Sequence, residues 1–373
     1  MGVIFVFRCV QPGHGGRKAG MEHRRIFLRP WGEIPAADWQ DWRWQFRHRL
    51  RSLSPLDGMS GEATSQRRAL QAVTAAYPLS VSPYYLSLID LQDRQDPLRR
   101  QCFPDAQEIH FSLGGVEDPL EERRDMPVPG LIHRYADRCL MLTTHLCAVY
   151  CRHCNRKRLW GRKRPAAALP RLQPMFDYIR KNTQIREVIL SGGDPLTLGD
   201  RTLARVLESL RAIAHVEVLR IGSRTPAVMP MRITPELCKI LQKHRPLWFN
   251  TQFNHPREIT PDAARACEML LESGIPVSNQ SVLLRGVNDS HEVMRELLYG
   301  LQRISVRPYY LFQCDPVRGT DHFRVDIGQG IDIMDKLSRH VSGLCVPRYV
   351  VDLPGGRGKM PLQSFSCAER RPS

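Results

Sequence analysis

A chain of 373 residues, 42% of them hydrophobic, suffices for one large core with appendages, and no apolar run in it approaches the ~20 residues of a membrane span. The excess of 54 Lys and Arg over 38 Asp and Glu gives a net charge of +16, which suits either an Arg-rich solvated surface or an anionic partner such as nucleic acid. Eleven cysteines, an odd number, follow an N-terminus (Met1-Gly-Val-Ile-Phe-Val-Phe-Arg8) that lacks the basic start and apolar length of a signal peptide; they argue for thiols and metal ligands in the cytoplasm and against a disulfide scaffold.

Residues 1–30 hold Gly, His and Arg without sustained periodicity and are expected to be poorly ordered, with Met21 as a second candidate start. An N-terminal helical region is expected over 31–130. Within it Pro35–Phe46 reads as a helix, because Trp39, Trp42, Phe46 and Leu50 recur at helical spacing as a core stripe, and a second helix is expected near 96–103. From 131 to 320 the pattern is regular. Apolar, β-rich runs at Cys139–Thr143, Val188–Leu190, Val216–Ile221, Leu247–Phe253, Pro276–Leu284 and Pro308–Phe312 alternate with helical patterns near 171–181, 202–214, 235–243, 262–273 and 291–303. Six strands alternating with helices predict parallel βαβ units, with near-continuously apolar strands under the helical crossovers. The expected architecture is an open, partial (β/α)6 barrel. Too little chain follows residue 313 for eight units, and 321–373 is expected to be a C-terminal segment.

Three motifs carry chemistry. Cys147, Cys151 and Cys154 are spaced C-x3-C-x2-C directly after the first strand, at the end where α/β active sites gather. Three thiolates on a four-iron cluster leave one iron open to a small chelating molecule, and the amino and carboxylate groups of S-adenosylmethionine suit it. The alternative is a zinc site completed by His153 or a distant ligand. After the second strand comes Ser191-Gly192-Gly193-Asp194; its glycines allow close backbone approach to a ligand, and Asp194 can accept from an amino group. In Pro354-Gly-Gly-Arg-Gly358-Lys359-Met360 a phosphate-binding loop fails, since Leu353 stands at its first glycine and Met360 follows the lysine. The other reading is a lysine on a flexible glycine tether, free to swing on and off an aldehyde cofactor. The densest basic run, Arg156–Arg164, is the feature a nucleic-acid-binding, zinc-containing protein would use.

The cysteine spacing resembles that of radical S-adenosylmethionine enzymes. The three motifs in this order, with Trp39–Gln45, Pro127–Tyr135, Ile221–Pro226, Phe253–Pro256, Asn279–Asp289 and Arg307–Tyr310, resemble the lysine 2,3-aminomutase family over roughly 30–365. The resemblance implies a [4Fe–4S] cluster on the three cysteines, S-adenosylmethionine beside Ser191, Gly192, Gly193, Asp194 and Gln280 with His153 on the adenine, and pyridoxal phosphate on Lys359 with Arg134 and Arg138 around its phosphate. It implies Arg156 on the substrate carboxylate and Asp315 and Asp352 on the distal ammonium of lysine, a pair that glutamate 2,3-aminomutases lack. The implied reaction moves the amino group of L-lysine from C2 to C3, with flavodoxin or ferredoxin as electron donor. Arginine or glutamate as substrate, and β-lysine supply for modification of elongation factor P, remain open. Departures are Phe312 for a frequent Tyr, Gln252 for a His, and Ser290 for a zinc-ligating Cys. The sequence ends at Ser373, without the Cys-rich zinc segments typical of the family, so no zinc and a weaker or different homo-oligomer are expected.

Overall fold

The structure is a computed structural model that describes residues 25–28, 30–56, 64–110, 114–161 and 169–362. Strands β1 (Arg25–Leu28) and β2 (Gly32–Pro35) pair as an antiparallel ribbon, inside a stretch whose composition gave no sign of order. The Trp39–Leu50 stripe does not run along one helix. Ala36–Gln40 and Trp42–Arg47 are separate helices, because Asp41 turns extended (φ −83°, ψ 110°) and its carboxylate caps the second helix at Arg43 N–H. Trp39 and Trp42 are buried, Phe46 is half-buried, and Leu50 lies beyond the helix, bridged to Val81.

The main sheet has nine strands: β3 (Leu131–Tyr135), β4 (Arg138–Thr144), β5 (Glu187–Gly192), β6 (Val218–Gly222), β7 (Leu247–Thr251), β8 (Val277–Leu283), β9 (Arg307–Gln313), β10 (Arg348–Leu353) and β11 (Gly358–Pro361). They pair in simple sequence order, with β3 and β11 at the two edges, so the barrel is open. Strands β4 to β10 are parallel; β3 and β11 are antiparallel to their neighbours. The six expected strands are β4–β9, and β10 adds a seventh parallel strand beyond them. Five connecting helices, Leu169–Lys181, Asp200–Arg211, Pro235–Lys243, Pro261–Glu272 and His291–Arg303, fall where the periodicity put them. Three start on side-chain caps: Thr234 at Leu237 N–H, Thr260 at Ala263 N–H, and Ser290 at Val293 N–H. Ser290 is thus a helix cap here.

The strands are not continuously apolar. Val188, Leu190, Leu219, Ile221 and Phe249 are buried on one face, while Ile189, Ser191, Arg220, Asn250, Gln280 and Phe312 line a cavity on the other. An open barrel does not fill its inner face with core, so that face keeps the period-two alternation of a half-buried strand. No helix among the described residues is long and apolar enough to cross a membrane.

Candidate active site

The C-terminal ends of β4–β10 surround a cavity of about 390 Å3. Every residue singled out in the sequence lines it: Cys147, Cys151, His153, Cys154 and Arg156 from the loop after β4; Ser191–Asp194 from the end of β5; Gln280 from β8; Asp315 after β9; Asp352 on β10; Lys359 on β11; and Arg134 and Arg138 from β3 and β4. Residues more than 200 positions apart meet because successive parallel strands deliver their C-terminal ends to one rim.

The cysteine loop is held from outside. Arg49 Nη1 donates to the Cys147 carbonyl (2.6 Å), and Ser80 Oγ donates to the same oxygen (3.3 Å). Two N–H groups point at sulfur: Arg224 Nη1 to Cys151 Sγ (2.7 Å) and Arg156 N to Cys154 Sγ (3.3 Å). Burial pushes the Cys154 thiol up to about 11 and that of Cys147 well above its ordinary value, so ionised sulfurs here need a metal to hold their charge. Among the described residues no group of three or more His, Cys, Asp or Glu could hold a single metal ion. A four-iron cluster would take one thiolate to each of three irons, and the three free thiols of this loop are the donor set it would use. His153 is buried, and burial, then the Arg224 charge, keeps its imidazole neutral. Its Nε2 is shared with the Gln252 (3.2 Å) and Asn254 (3.4 Å) amides, and its buried Nδ1 has no hydrogen-bond partner among the described residues.

The Ser191–Asp194 turn does two things that its sequence did not announce. A Cβ on Gly192 would lie 2.4 Å from the Thr144 carbonyl oxygen, and one on Gly193 would lie 2.3 Å from that of Leu146. These glycines let the turn pack against the cysteine loop, beyond any approach to a ligand. Asp194 is buried, and its carboxylate already accepts from Leu196 N (3.0 Å), Ser223 Oγ (2.8 Å) and Arg224 N (2.9 Å). It ties the ends of β5 and β6 together while lining the cavity.

At the opposite side of the cavity the glycines before Lys359 form no loose tether. Gly355, Gly356 and Gly358 adopt φ of 70°, 75° and 79° to turn the chain, and β11 pairs with β10 so that Lys359 faces Asp352. Lys359 Nζ lies 3.7 Å from Asp352 Oδ2, and 5.9 and 5.8 Å from the ring centres of Tyr310 and Phe312. Asp352 Oδ1 is buried with no hydrogen-bond partner among the described residues. Asp315 accepts from Asn155 Nδ2 (3.2 Å); burial, then the charge of Asp352, pushes its carboxyl up to about 7. Arg134 is tied to Asp125 (2.6 Å) and the Leu120 carbonyl, while Arg138 pairs with Asp137 (2.7 Å) and lies 4.0 Å over the Tyr135 ring.

Sequence reasoning missed Glu122, Glu258 and Arg224. Glu122 receives Arg156 through both Nε (3.0 Å) and Nη2 (2.6 Å), with Arg158 on its other oxygen (2.6 Å). Burial alone would raise Glu122, but the two guanidiniums hold its carboxyl down at about 2. Arg156 keeps Nη1 turned toward Ser191 Oγ, at 3.4 Å. Lys157 is buried against Glu108 (2.6 Å), so Arg156, Lys157 and Arg158 of the basic run all point inward to carboxylates and present no nucleic-acid face; Arg162, Lys163 and Arg164 lie outside the described residues. Glu122 and Glu258 had no periodic signal. Arg224 did have one: it follows strand β6 at the same rim as the cysteines.

The Radical SAM superfamily model matches residues 141–298, which span β4 to the helix before β9. The L-lysine 2,3-aminomutase of Clostridium subterminale is 48% identical over 88% of this chain and 79% of its own length. The glutamate 2,3-aminomutase of Clostridioides difficile is 40% identical over 87% and 77%. Among solved structures, Streptococcus suis SuiB bound to S-adenosylmethionine superposes with a TM-score of 0.44 at 12% identity, covering 58% of this chain and 50% of its own. The chain belongs to the lysine 2,3-aminomutase family of radical S-adenosylmethionine enzymes. It is an aminomutase, an isomerase acting on a small molecule, and the family implies a [4Fe–4S] cluster and S-adenosylmethionine. Relatives include both lysine and glutamate enzymes, so the substrate has to be read from the site.

Proposed function

We propose that this chain is an L-lysine 2,3-aminomutase, using pyridoxal phosphate on Lys359 and producing β-lysine. The observation that carries the substrate is the acid pair. Asp315 and Asp352 line the Lys359 end of the cavity, and the buried Asp352 Oδ1 lacks a donor that a substrate ammonium supplies. Two carboxylates there repel an anionic side chain, which argues against glutamate. Cys147, Cys151 and Cys154 would hold the cluster, with the His153 and Ser191–Gly193 walls beside S-adenosylmethionine and Gln280 in the same pocket. Bound here, the cluster and S-adenosylmethionine supply a hydrogen-abstracting 5′-deoxyadenosyl radical, and pyridoxal phosphate supplies an aldehyde that carries the migrating nitrogen.

The protein's own part is positioning. Arg156, braced by Glu122 through Nε and Nη2, offers Nη1 to the substrate carboxylate as a charge-assisted donor. Arg134 and Arg138 bring positive charge to the phosphate end. The β10–β11 pairing fixes Lys359 beside the two acids and orients the substrate between charge-selecting and carboxylate-gripping ends. An electron donor of the flavodoxin or ferredoxin kind completes the system. Anaerobic protein with reductant, S-adenosylmethionine and pyridoxal phosphate should convert L-lysine to β-lysine. Turnover of glutamate or arginine with lysine inert overturns the assignment.

A further inference from the structure

Activation of a reductive S-adenosylmethionine site draws one electron from outside. The electron enters the sulfonium, the carbon–sulfur bond breaks, sulfur leaves as the methionine thioether, the 5′-carbon keeps the unpaired electron, and the carrier is oxidised by one electron. We infer that the face built from helix Trp42–Arg47, Arg51 and Leu146 is the docking surface for an acidic one-electron carrier protein. This rests on the cluster proposed on the three cysteines.

Leu146 directly precedes Cys147 and is 42% exposed, an unusual place for a leucine in a loop otherwise buried or half-buried. Its carbonyl holds Asp194 N–H (2.8 Å) and Thr197 Oγ (3.4 Å), so the backbone is fixed while the side chain reaches solvent. Two buried arginines, Arg49 and Arg232, tie this loop to the helix from beneath, and Arg51 is exposed two residues after Arg49. Arg49 donates to the Cys147 carbonyl and lies 3.5 Å over the Phe46 ring. Arg51 lies near enough to Arg49 and Tyr150 to act on both electrostatically, and Cys147 acts on the same Tyr150. Arg232 joins the helix to the turn beneath Leu146: it sits 4.4 Å over the Trp42 ring and donates to the Leu196 (2.6 Å) and Leu198 (3.1 Å) carbonyls.

The result is an exposed apolar residue beside a proposed cluster ligand, with the exposed cations Arg43, Arg47 and Arg51 on the adjoining segment. The carboxylates on these elements are engaged: Asp41 caps the helix and lies 4.0 Å from Arg43, and Asp200 pairs with Arg232 at 2.7 Å. An apolar centre with a cationic rim is the complement of an acidic carrier with an exposed redox centre, and the charge speeds encounter more than it tightens the complex. Cys147 is therefore the ligand nearest the point of electron entry, while Cys151 and Cys154 carry the N–H donors.

The test is the rate of cluster reduction, followed by visible absorbance in stopped flow, with a reduced bacterial flavodoxin and separately with dithionite. Arg47→Glu combined with Arg51→Glu should lower the second-order rate with flavodoxin on the order of tenfold or more at low ionic strength. The gap should close in molar salt, where the screening length falls to about 3 Å. Leu146→Gln should slow the same reaction without that salt dependence. All variants should keep wild-type iron content and wild-type reduction by dithionite. Equal flavodoxin rates in wild type and the double variant overturn the docking surface, as does a parallel loss with dithionite. A wild-type protein without a cluster that dithionite reduces overturns the cluster reading instead.

Discussion

Removing one charge from the acid pair should turn a lysine enzyme into a poor one without disturbing the rest of the cavity. Asp352→Asn keeps the shape and a carbonyl oxygen but deletes the charge. At about 4 Å and an effective dielectric near 20, a unit pair is worth about 4 kcal/mol. Asp352 keeps 14% of its side chain exposed, and Asp315 shares the cation, so the net loss is roughly 2–3 kcal/mol, or thirty- to 150-fold in kcat/KM for lysine. Asp315→Asn should do the same and also change the pH profile. A carboxyl raised to about 7 is protonated in slightly acid solution and must give up its proton to meet an ammonium, so the affinity of wild type for lysine should rise as pH rises through 7. The same shift has a stability sign: protonated Asp315 stabilises the ligand-free fold at low pH, and that contribution is lost as pH rises through about 7. The Asn variant should lose both dependences, measured by steady-state kinetics from pH 6 to 9 and by melting temperature without ligand. A change below threefold in lysine use by either variant, with S-adenosylmethionine binding intact, refutes the charge-selection argument.

Alanine at Cys147, Cys151 or Cys154 should abolish iron and sulfide binding after anaerobic reconstitution, and one zinc per chain in the wild type without iron would refute the cluster. Borohydride should fix pyridoxal phosphate covalently to Lys359, located by peptide mass spectrometry; label on another lysine sinks the assignment. Arg224→Gln removes the N–H bond to Cys151 Sγ, and since donors to cluster sulfurs raise the potential, the midpoint potential should fall; an unchanged potential with full iron content means the bond does not persist in the loaded protein. Glu122→Gln strips a buried carboxylate from Arg156 and Arg158 and should destabilise the fold by roughly 3–5 kcal/mol by denaturant titration, against which a loss under 1 kcal/mol would count.

What the sequence announced was local. Three cysteines in eight residues, paired glycines after a strand, and alternating β and helical periods each lie within one segment, and β4–β9 with their helices fall where those periods put them. The misses are tertiary. Asp41 splits the tryptophan helix because an N-cap interaction outweighs the hydrophobic stripe. β11 is four residues long and is a strand through its pairing with β10, which itself joins the sheet through β9. The bonds from Ser223 Oγ and Arg224 N–H to Asp194, from 29 and 30 positions ahead, have no trace in its motif. The cations of residues 156–158 look like surface charge until Glu108 and Glu122, from a segment without a pattern, arrive against them.

The cross-strand pairing of Asp352 with Lys359 also constrains how such a site can change over time. On a strand, side chains alternate faces, so lengthening or shortening the 354–357 turn by one residue would carry the lysine to the outer face or place a different neighbour opposite the acid. The proposed covalent anchor and charge filter are thus inherited as one unit, reachable only by point substitution. A descendant that came to accept an anionic amino acid would have to exchange Asp352 in place while the turn, the glycines and Lys359 stayed as they are.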